Sequence, residues 1–351
     1  MNKRYLEIYE AVKEDIIKGR FKSGSKLPSK RVMAEGCGVS VITIEHAYDL
    51  LEEEGYIQPK EKSGYFIIYD SENLYSSVPS NAIKIPLIPS GTPSDSHDFS
   101  FSIYAKTARR VLSEYGEKVL EKSPENGTFI LRSAISEYLS RSRKMDINPD
   151  QIIIGAGAEY LYGLIVEAFG RNCLYGVESP SYQKIAKVYN AGGATLEMLK
   201  LSSDGIDSDA LWKSNANVLH ITPYRSFPSG VTASAGKKRE YLKWALSKNA
   251  YIVEDDFESE FTPSKKPEET LFSIDSSGHV IYVNTFTRTV SSSIRIAYMV
   301  IPPALFDLFK EKTGFYSCPV PTLEQLILSE LINNGDFERH INRVRRLNRI
   351  K

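Results

Sequence analysis

From residue 99 onward the sequence alternates two kinds of segment, and that alternation constrains the fold more than any other feature. Long amphipathic stretches, Ile103 to Leu120 and Thr128 to Lys144, carry apolar side chains at helical spacing. After them come short apolar runs, Gln151 to Ile154, Asn217 to Ile221, Tyr251 to Val253 and His279 to Val283. Strands separated by helix-length segments predict an α/β body around a mostly parallel sheet. At 351 residues the chain exceeds one ordinary core, so a smaller domain is expected beside the large one.

That smaller domain is expected at the N-terminus. Tyr5, Ile8, Tyr9, Val12 and Ile16 repeat at helical spacing, and Gly19 stops the helix. Pro28-Ser29 starts a short second helix through Glu35, which Gly36 and Gly38 break on either side of Cys37. Ser40 caps a third helix, Val41 to Glu54, with Ile44, Ala47, Tyr48 and Leu51 inward and Thr43, Glu45 and His46 near or on the outer side. Tyr56-Ile57-Gln58 and Tyr65-Phe66-Ile67-Ile68 predict a hairpin across Lys60 to Gly64. Three helices and a hairpin make a winged helix-turn-helix, which places its third helix in a DNA major groove and its hairpin on the backbone or minor groove. The expected division is therefore 1–69 for DNA binding, 70–98 as a linker rich in Ser, Asn, Pro and Gly, and 99–351 as the body.

Formal net charge is zero, so nucleic-acid binding must rest on a local patch. Lys18, Arg20, Lys22, Lys26, Lys30 and Arg31 follow one another with no acidic residue between them, and Lys60 and Lys62 lie in the wing. The plain alternative is a solvated basic face, and Glu52-Glu53-Glu54 weighs towards it. Cys37, Cys173 and Cys318 are far apart and read as reduced thiols filling the core. No apolar leader opens the sequence and no run reaches membrane-span length, so a cytoplasmic protein with no membrane partner is expected.

Leu27-Pro28-Ser29-Lys30-Arg31, Gly38-Val39-Ser40, Thr43, Ala47-Tyr48, Leu51 to Tyr56 and Ser63-Gly64-Tyr65-Phe66 together resemble the GntR family of bacterial regulators over residues 5 to 68. The resemblance implies phosphate anchoring by Ser29, Arg31, Ser40, Thr43 and Gly64. With the basic patch and the outer face of the third helix, the expected DNA-binding set is Ser29, Lys30, Arg31, Ser40, Thr43, His46, Lys62 and Gly64. One departure stands out: the family usually places Arg after the capping Ser, where this chain has Val41.

Further landmarks follow in order: Pro124-Glu125-Asn126-Gly127 with Leu131-Arg132, Gly155-Ala156-Gly157-Ala158-Glu159, Glu178-Ser179-Pro180-Ser181-Tyr182, Thr222 to Gly230, and Val253 to Phe261. Together they resemble fold-type-I aminotransferases joined to GntR heads, the MocR subgroup. The resemblance implies a pyridoxal phosphate site. Gly157, Ala158 and Arg295 would hold the phosphate, Tyr182 would stack on the ring, and Asp255, with Asp256 close behind, would pair with the ring nitrogen. Without the later motifs, the glycine-rich stretch would read as a close-packed helix cap. A metal site is the other reading of the acidic cluster, but no His or Cys accompanies it. Phe257 stands where the family has Tyr.

The window Tyr282 to Tyr298 resembles the family's lysine-bearing loop, yet its lysine position is Arg288. A Schiff base needs a neutral primary amine, and a guanidinium with a pKa above about 12 cannot supply one. No lysine lies between Lys266 and Lys310 to replace it. Phe337 to Arg346 resembles the helix leading into the family's small C-terminal domain, which is expected to be missing together with its substrate-binding Arg. The expected protein is a DNA-binding homodimer and not an enzyme. Its body would sense a small effector, an amino acid or B6-related molecule, or serve as a dimerisation scaffold, with pyridoxal phosphate non-covalent at most. The alternative is a working aminotransferase fused to a DNA-binding module.

Overall fold

The structure, a computed structural model, describes residues 4–60, 63–69, 99–262, 269–291 and 293–350. The chain divides into two compact units, Met1–Gly91 and Thr92–Lys351. The linker expected at 70–98 lies outside the described residues.

The small unit runs α1 (Arg4–Ile17), α2 (Lys30–Cys37), α3 (Val41–Glu53), β1 (Ile57–Lys60) and β2 (Gly64–Ile67). Its core forms where the apolar stripe of α1, Tyr9, Val12 and Ile16, meets Ile44, Ala47, Tyr48 and Leu51 of α3 beneath Leu27, Ile57 and Ile67. The Ser29 and Ser40 hydroxyls accept from the N–H groups of Val32 and Thr43 at 3.3 and 3.2 Å, starting α2 and α3. Two expectations need correction. Helix α2 runs through Gly36, and only Gly38, in the left-handed region at φ 63°, ends it. Cys37 is exposed at that helix end and fills no core, while Cys173 and Cys318 are partly buried.

The body opens with α4 (Phe101–Tyr115) and α5 (Phe129–Arg143). It then alternates β3 (Ile152–Gly155), α6 (Ala158–Phe169), β4 (Leu174–Ser179), α7 (Gln183–Ala191), β5 (Thr195–Ser202) and β6 (Gly205–Ile206). Next come α8 (Ser208–Lys213), β7 (Val218–Ile221), α9 (Ala235–Lys248), β8 (Tyr251–Asp255), α10 (Leu271–Ile274), β9 (Val280–Thr285) and β10 (Ala297–Val300). Helices α11 (Phe306–Thr313), α12 (Thr322–Asn333) and α13 (Asp336–Ile350) close it.

The eight strands pair in the order β3-β10-β9-β8-β7-β4-β5-β6. Strands β5, β4, β7, β8 and β9 are mutually parallel, while β10 runs antiparallel to both β9 and β3. Successive strand residues alternate between the two faces. Val253, Ile281, Val283 and Met299 pack with α6, α7 and α11, whereas Ile252, Val280, Tyr282 and Tyr298 face the other helices. This topology sends the carboxyl ends of β3, β4, β7, β8 and β9, and the start of β10, to one edge of the sheet, where open α/β sheets bind ligands.

Candidate nucleic-acid interface and ligand cleft

In the small unit the first turn of α3 is built by its cap. Ser40 Oγ lies 2.8 Å from Thr43 Oγ1, so both hydroxyls sit at the helix start. His46 is exposed one turn on, edge-on to Tyr5. Gly64 opens β2 at φ 106°, and a Cβ there would come within 3.0 Å of Lys26 Cε. Lys62 lies outside the described residues.

The basic stretch is less free than its linear order implies. Lys18 pairs with Glu14, Arg20 with Asp15 at 2.7 Å, and Lys30 with Glu45 of α3 at 2.7 Å. Lys30 holds the Glu45 carboxyl below its usual range. Folding brings in acids from neighbouring turns that a run of sequence does not show. Lys22, Lys26 and Arg31 remain exposed, with no carboxylate partner among the described residues.

In the body, the residues singled out from sequence converge on the carboxyl edge of the sheet. Gly157 starts α6 after β3, Tyr182 caps α7 after β4, Asp255 ends β8, Arg288 follows β9 and Arg295 precedes β10. Adjacent carboxylates at the end of β8 have separate surroundings. Asp255 accepts from the Tyr162 hydroxyl of α6, and its Oδ2 lies 3.6 Å from His220 Nε2 of β7. His220 Nδ1 meets the Tyr189 hydroxyl at 2.7 Å, while its Nε2 is buried with no hydrogen-bond partner among the described residues. Burial, then the Asp255 charge, pushes the Tyr162 hydroxyl well up, so it stays a donor to the carboxylate.

Asp256 belongs to a second buried group. Its Oδ2 accepts from Arg143 at 3.1 Å and from the Tyr282 hydroxyl at 2.6 Å. Glu260 joins through Asn284 at 2.6 Å and lies 3.7 Å from Arg143.

Two ion pairs mark the edge. Arg288, 54% exposed, pairs with Glu258 at 3.1 Å. Arg295 meets Glu159 at 3.4 Å, and Glu159 also holds Lys184 at 2.7 Å. The φ of 92° at Gly157 favours glycine, and a Cβ there would stand 2.8 Å from the Arg295 guanidinium, which would have to move. Half-exposed Tyr182 meets Phe227 edge-on at 6.3 Å between centroids. Among the described residues no group of three or more His, Cys, Asp or Glu is placed to hold a metal ion.

Sequence reasoning missed Tyr162, His220, Glu159 and Glu258. Each acts on a residue from another segment or on a charge whose partner is fixed only by folding. Glu159 and Glu258 did carry a signal, since each lies in a motif already singled out.

Buried carboxyls give the body a pH dependence. Burial pushes Glu178 up to about 7 against the hydroxyl it accepts from Ser226 at 2.7 Å. Burial, then the nearby Asp256, also raises Glu260. A carboxyl raised on folding binds more protons folded than unfolded, so its contribution is full below the ordinary carboxylate pKa and is lost as pH rises towards about 7. The body should therefore melt several degrees higher at pH 5.5 than at pH 8, by calorimetry, and Glu178→Gln should reduce that difference. An equal difference in the variant would reject this origin.

The sequence pattern described as "Bacterial regulatory proteins, gntR family" matches residues 4–67. The HTH-type transcriptional regulator YdeL of Bacillus subtilis is 34% identical over 99% of this chain and 77% of its own length. The probable rhizopine catabolism regulatory protein MocR of Rhizobium meliloti is 28% identical over 97% of this chain and 74% of its own. Among solved structures, the α-aminoadipate aminotransferase LysN of Thermus thermophilus is 26% identical with a TM-score of 0.64. That likeness covers 72% of this chain but 65% of LysN, less than two thirds of it.

Proposed function

Since the chain belongs to the GntR family of transcriptional regulators, in the MocR form that joins a helix-turn-helix to an aminotransferase-like body, we propose that its sheet edge senses a small anionic ligand without covalent catalysis and so controls DNA binding by a homodimer. The observation that carries this reading is the Arg288–Glu258 ion pair at the sheet edge, a guanidinium where the resemblance would put the family's lysine.

The residues present fit pyridoxal phosphate held without a covalent bond. Asp255, kept as an acceptor by Tyr162, would take the ring nitrogen. Arg295 and the N–H groups of Gly157 and Ala158 would hold the phosphate, for which Gly157 leaves room that a Cβ would fill. Tyr182 would stack on the ring. When bound, the group supplies an aldehyde and an electron-withdrawing ring. Arg288 would offer a planar fork to a ligand carboxylate or phosphate once Glu258 is displaced.

One observation favours the scaffold reading instead. Glu159 already pairs with both Arg295 and Lys184, so an incoming phosphate must compete with it. Mixing the purified chain with pyridoxal phosphate separates these readings. A saturable absorbance change, reversed by dialysis and leaving no added mass after borohydride, is the expected result. No change at millimolar cofactor would favour the scaffold, and a saturable adduct of one cofactor per chain on a single lysine, surviving dialysis before reduction, would restore the enzyme alternative.

Exposed Phe101, Leu120 and Phe129 on the body support association through it. Twice the chain mass by light scattering at micromolar concentration is expected, and a monomer would count against the homodimer. Among the described residues no helix is long and apolar enough to cross a membrane.

A further inference from the structure

The apolar residues on the inner face of α3 are buried: Ile44, Ala47, Tyr48 and Leu51. Its first two residues break that pattern. Val41 is 42% exposed and Ile42 64% exposed, just after the Ser40 cap. These branched side chains therefore stand in water at the end of the helix that enters the groove in a winged helix-turn-helix. Exposed Arg31 and Lys26 flank the unit with no carboxylate partner among the described residues. That charge complements a polyanion and selects a nucleic acid over an apolar peptide as the occupant. Glu45, one turn further on, is held by Lys30 and carries no bare charge towards an approaching duplex.

We propose that Val41 and Ile42 read thymine methyl groups, so that this regulator selects dT where a relative with arginine after the capping serine would select dG. The inference rests on the DNA-binding reading of the small unit. In the major groove each base pair shows a distinct edge: dG offers two acceptors, dC a donor, dA an acceptor and a donor, and dT an acceptor beside its C5 methyl. An arginine fork suits the paired acceptors of dG. Valine and isoleucine can neither donate nor accept, so against dG or dC they remove water from polar atoms and return nothing. Against dT they cover a methyl group and lose little.

The test begins with selection of bound duplexes from a randomised library by the full chain. Enriched dT is expected at the contacted positions. Each such dT is then replaced by dU, which keeps base pairing and removes only the methyl. Affinity should fall about fourfold per methyl, the worth of one buried carbon. Ile42→Ala and Val41→Ala should lose a similar factor on the dT duplex, and the variant in contact with a given methyl should no longer distinguish dT from dU there. Both positions are exposed and alanine favours helix, so the fold should persist, checked by circular dichroism. Val41→Arg should shift selection towards dG. Equal affinity for dT and dU duplexes, or alanine losses simply additive with methyl removal, would overturn the inference while leaving DNA binding intact. Binding to no duplex would overturn both.

Discussion

Lysine in place of Arg288 should trap about one pyridoxal phosphate per chain under borohydride, where the unaltered chain traps none at this position. The change is from a group that cannot act as a nucleophile near neutral pH to one that can. Glu258 predicts how the variant behaves. Its carboxylate lies 3.1 Å from the Arg288 guanidinium, and beside an introduced ammonium it would favour the charged, unreactive form. Trapping by Arg288→Lys should therefore be slow at pH 7 and faster near pH 9. Adding Glu258→Gln should bring the rapid regime towards neutrality. Peptide mapping must place the added mass at position 288. If cofactor binds reversibly but neither variant traps it at any pH, the residue does not face the ligand and the cleft assignment fails.

The second large effect is expected at the DNA-binding surface, where the structure separates two neighbours that look alike in sequence. Arg31 is exposed and has no carboxylate partner among the described residues. Arg31→Ala should weaken binding to every duplex by about tenfold and flatten the plot of log affinity against log salt by about one unit, the signature of a lost phosphate contact. Lys30 is engaged with Glu45 and lies over the Tyr65 ring. Lys30→Ala should also weaken binding, chiefly by leaving the Glu45 carboxylate bare on the recognition helix. Adding Glu45→Gln should then recover most of the loss, whereas the same addition should rescue Arg31→Ala far less. Titrations by anisotropy at several salt concentrations would decide. Unchanged affinity and slope in Arg31→Ala would remove this residue from the interface.

The legible parts of the chain were those in which one segment carries its own reason to fold. Ile44, Ala47, Tyr48 and Leu51 mark the inner face of α3 by spacing alone, and Ser40 marks its start; both stand as expected. The apolar runs at β3, β7, β8 and β9 were also readable, within a residue or two at their ends. Strands β4, β5 and β10 were not. Strand β4 carries Gly176 and Glu178 inside a buried run, β5 mixes Glu197 and Lys200 among its apolar residues, and β10 has four residues whose pairing is set by β3 and β9. At the sheet edge, Asp255 and Arg288 were named from sequence, but Tyr162 lies 93 positions from the carboxylate it meets. The acids that neutralise Lys30, Arg288 and Arg295 likewise depend on which turns fold against each other, and no local pattern records that.

The two neighbouring carboxylates at the end of β8 divide their work between two sets of neighbours. Asp255 accepts from Tyr162 of α6, while Asp256 anchors a buried arginine from a helix more than a hundred residues earlier. Removing Asp256 would take the 3.1 Å carboxylate from buried Arg143 and leave it the more distant Glu260, at 3.7 Å. The turn after β8 is thus held by Asp256 and its partners, so a change at Asp255 can alter this edge while the turn that carries it stays in place.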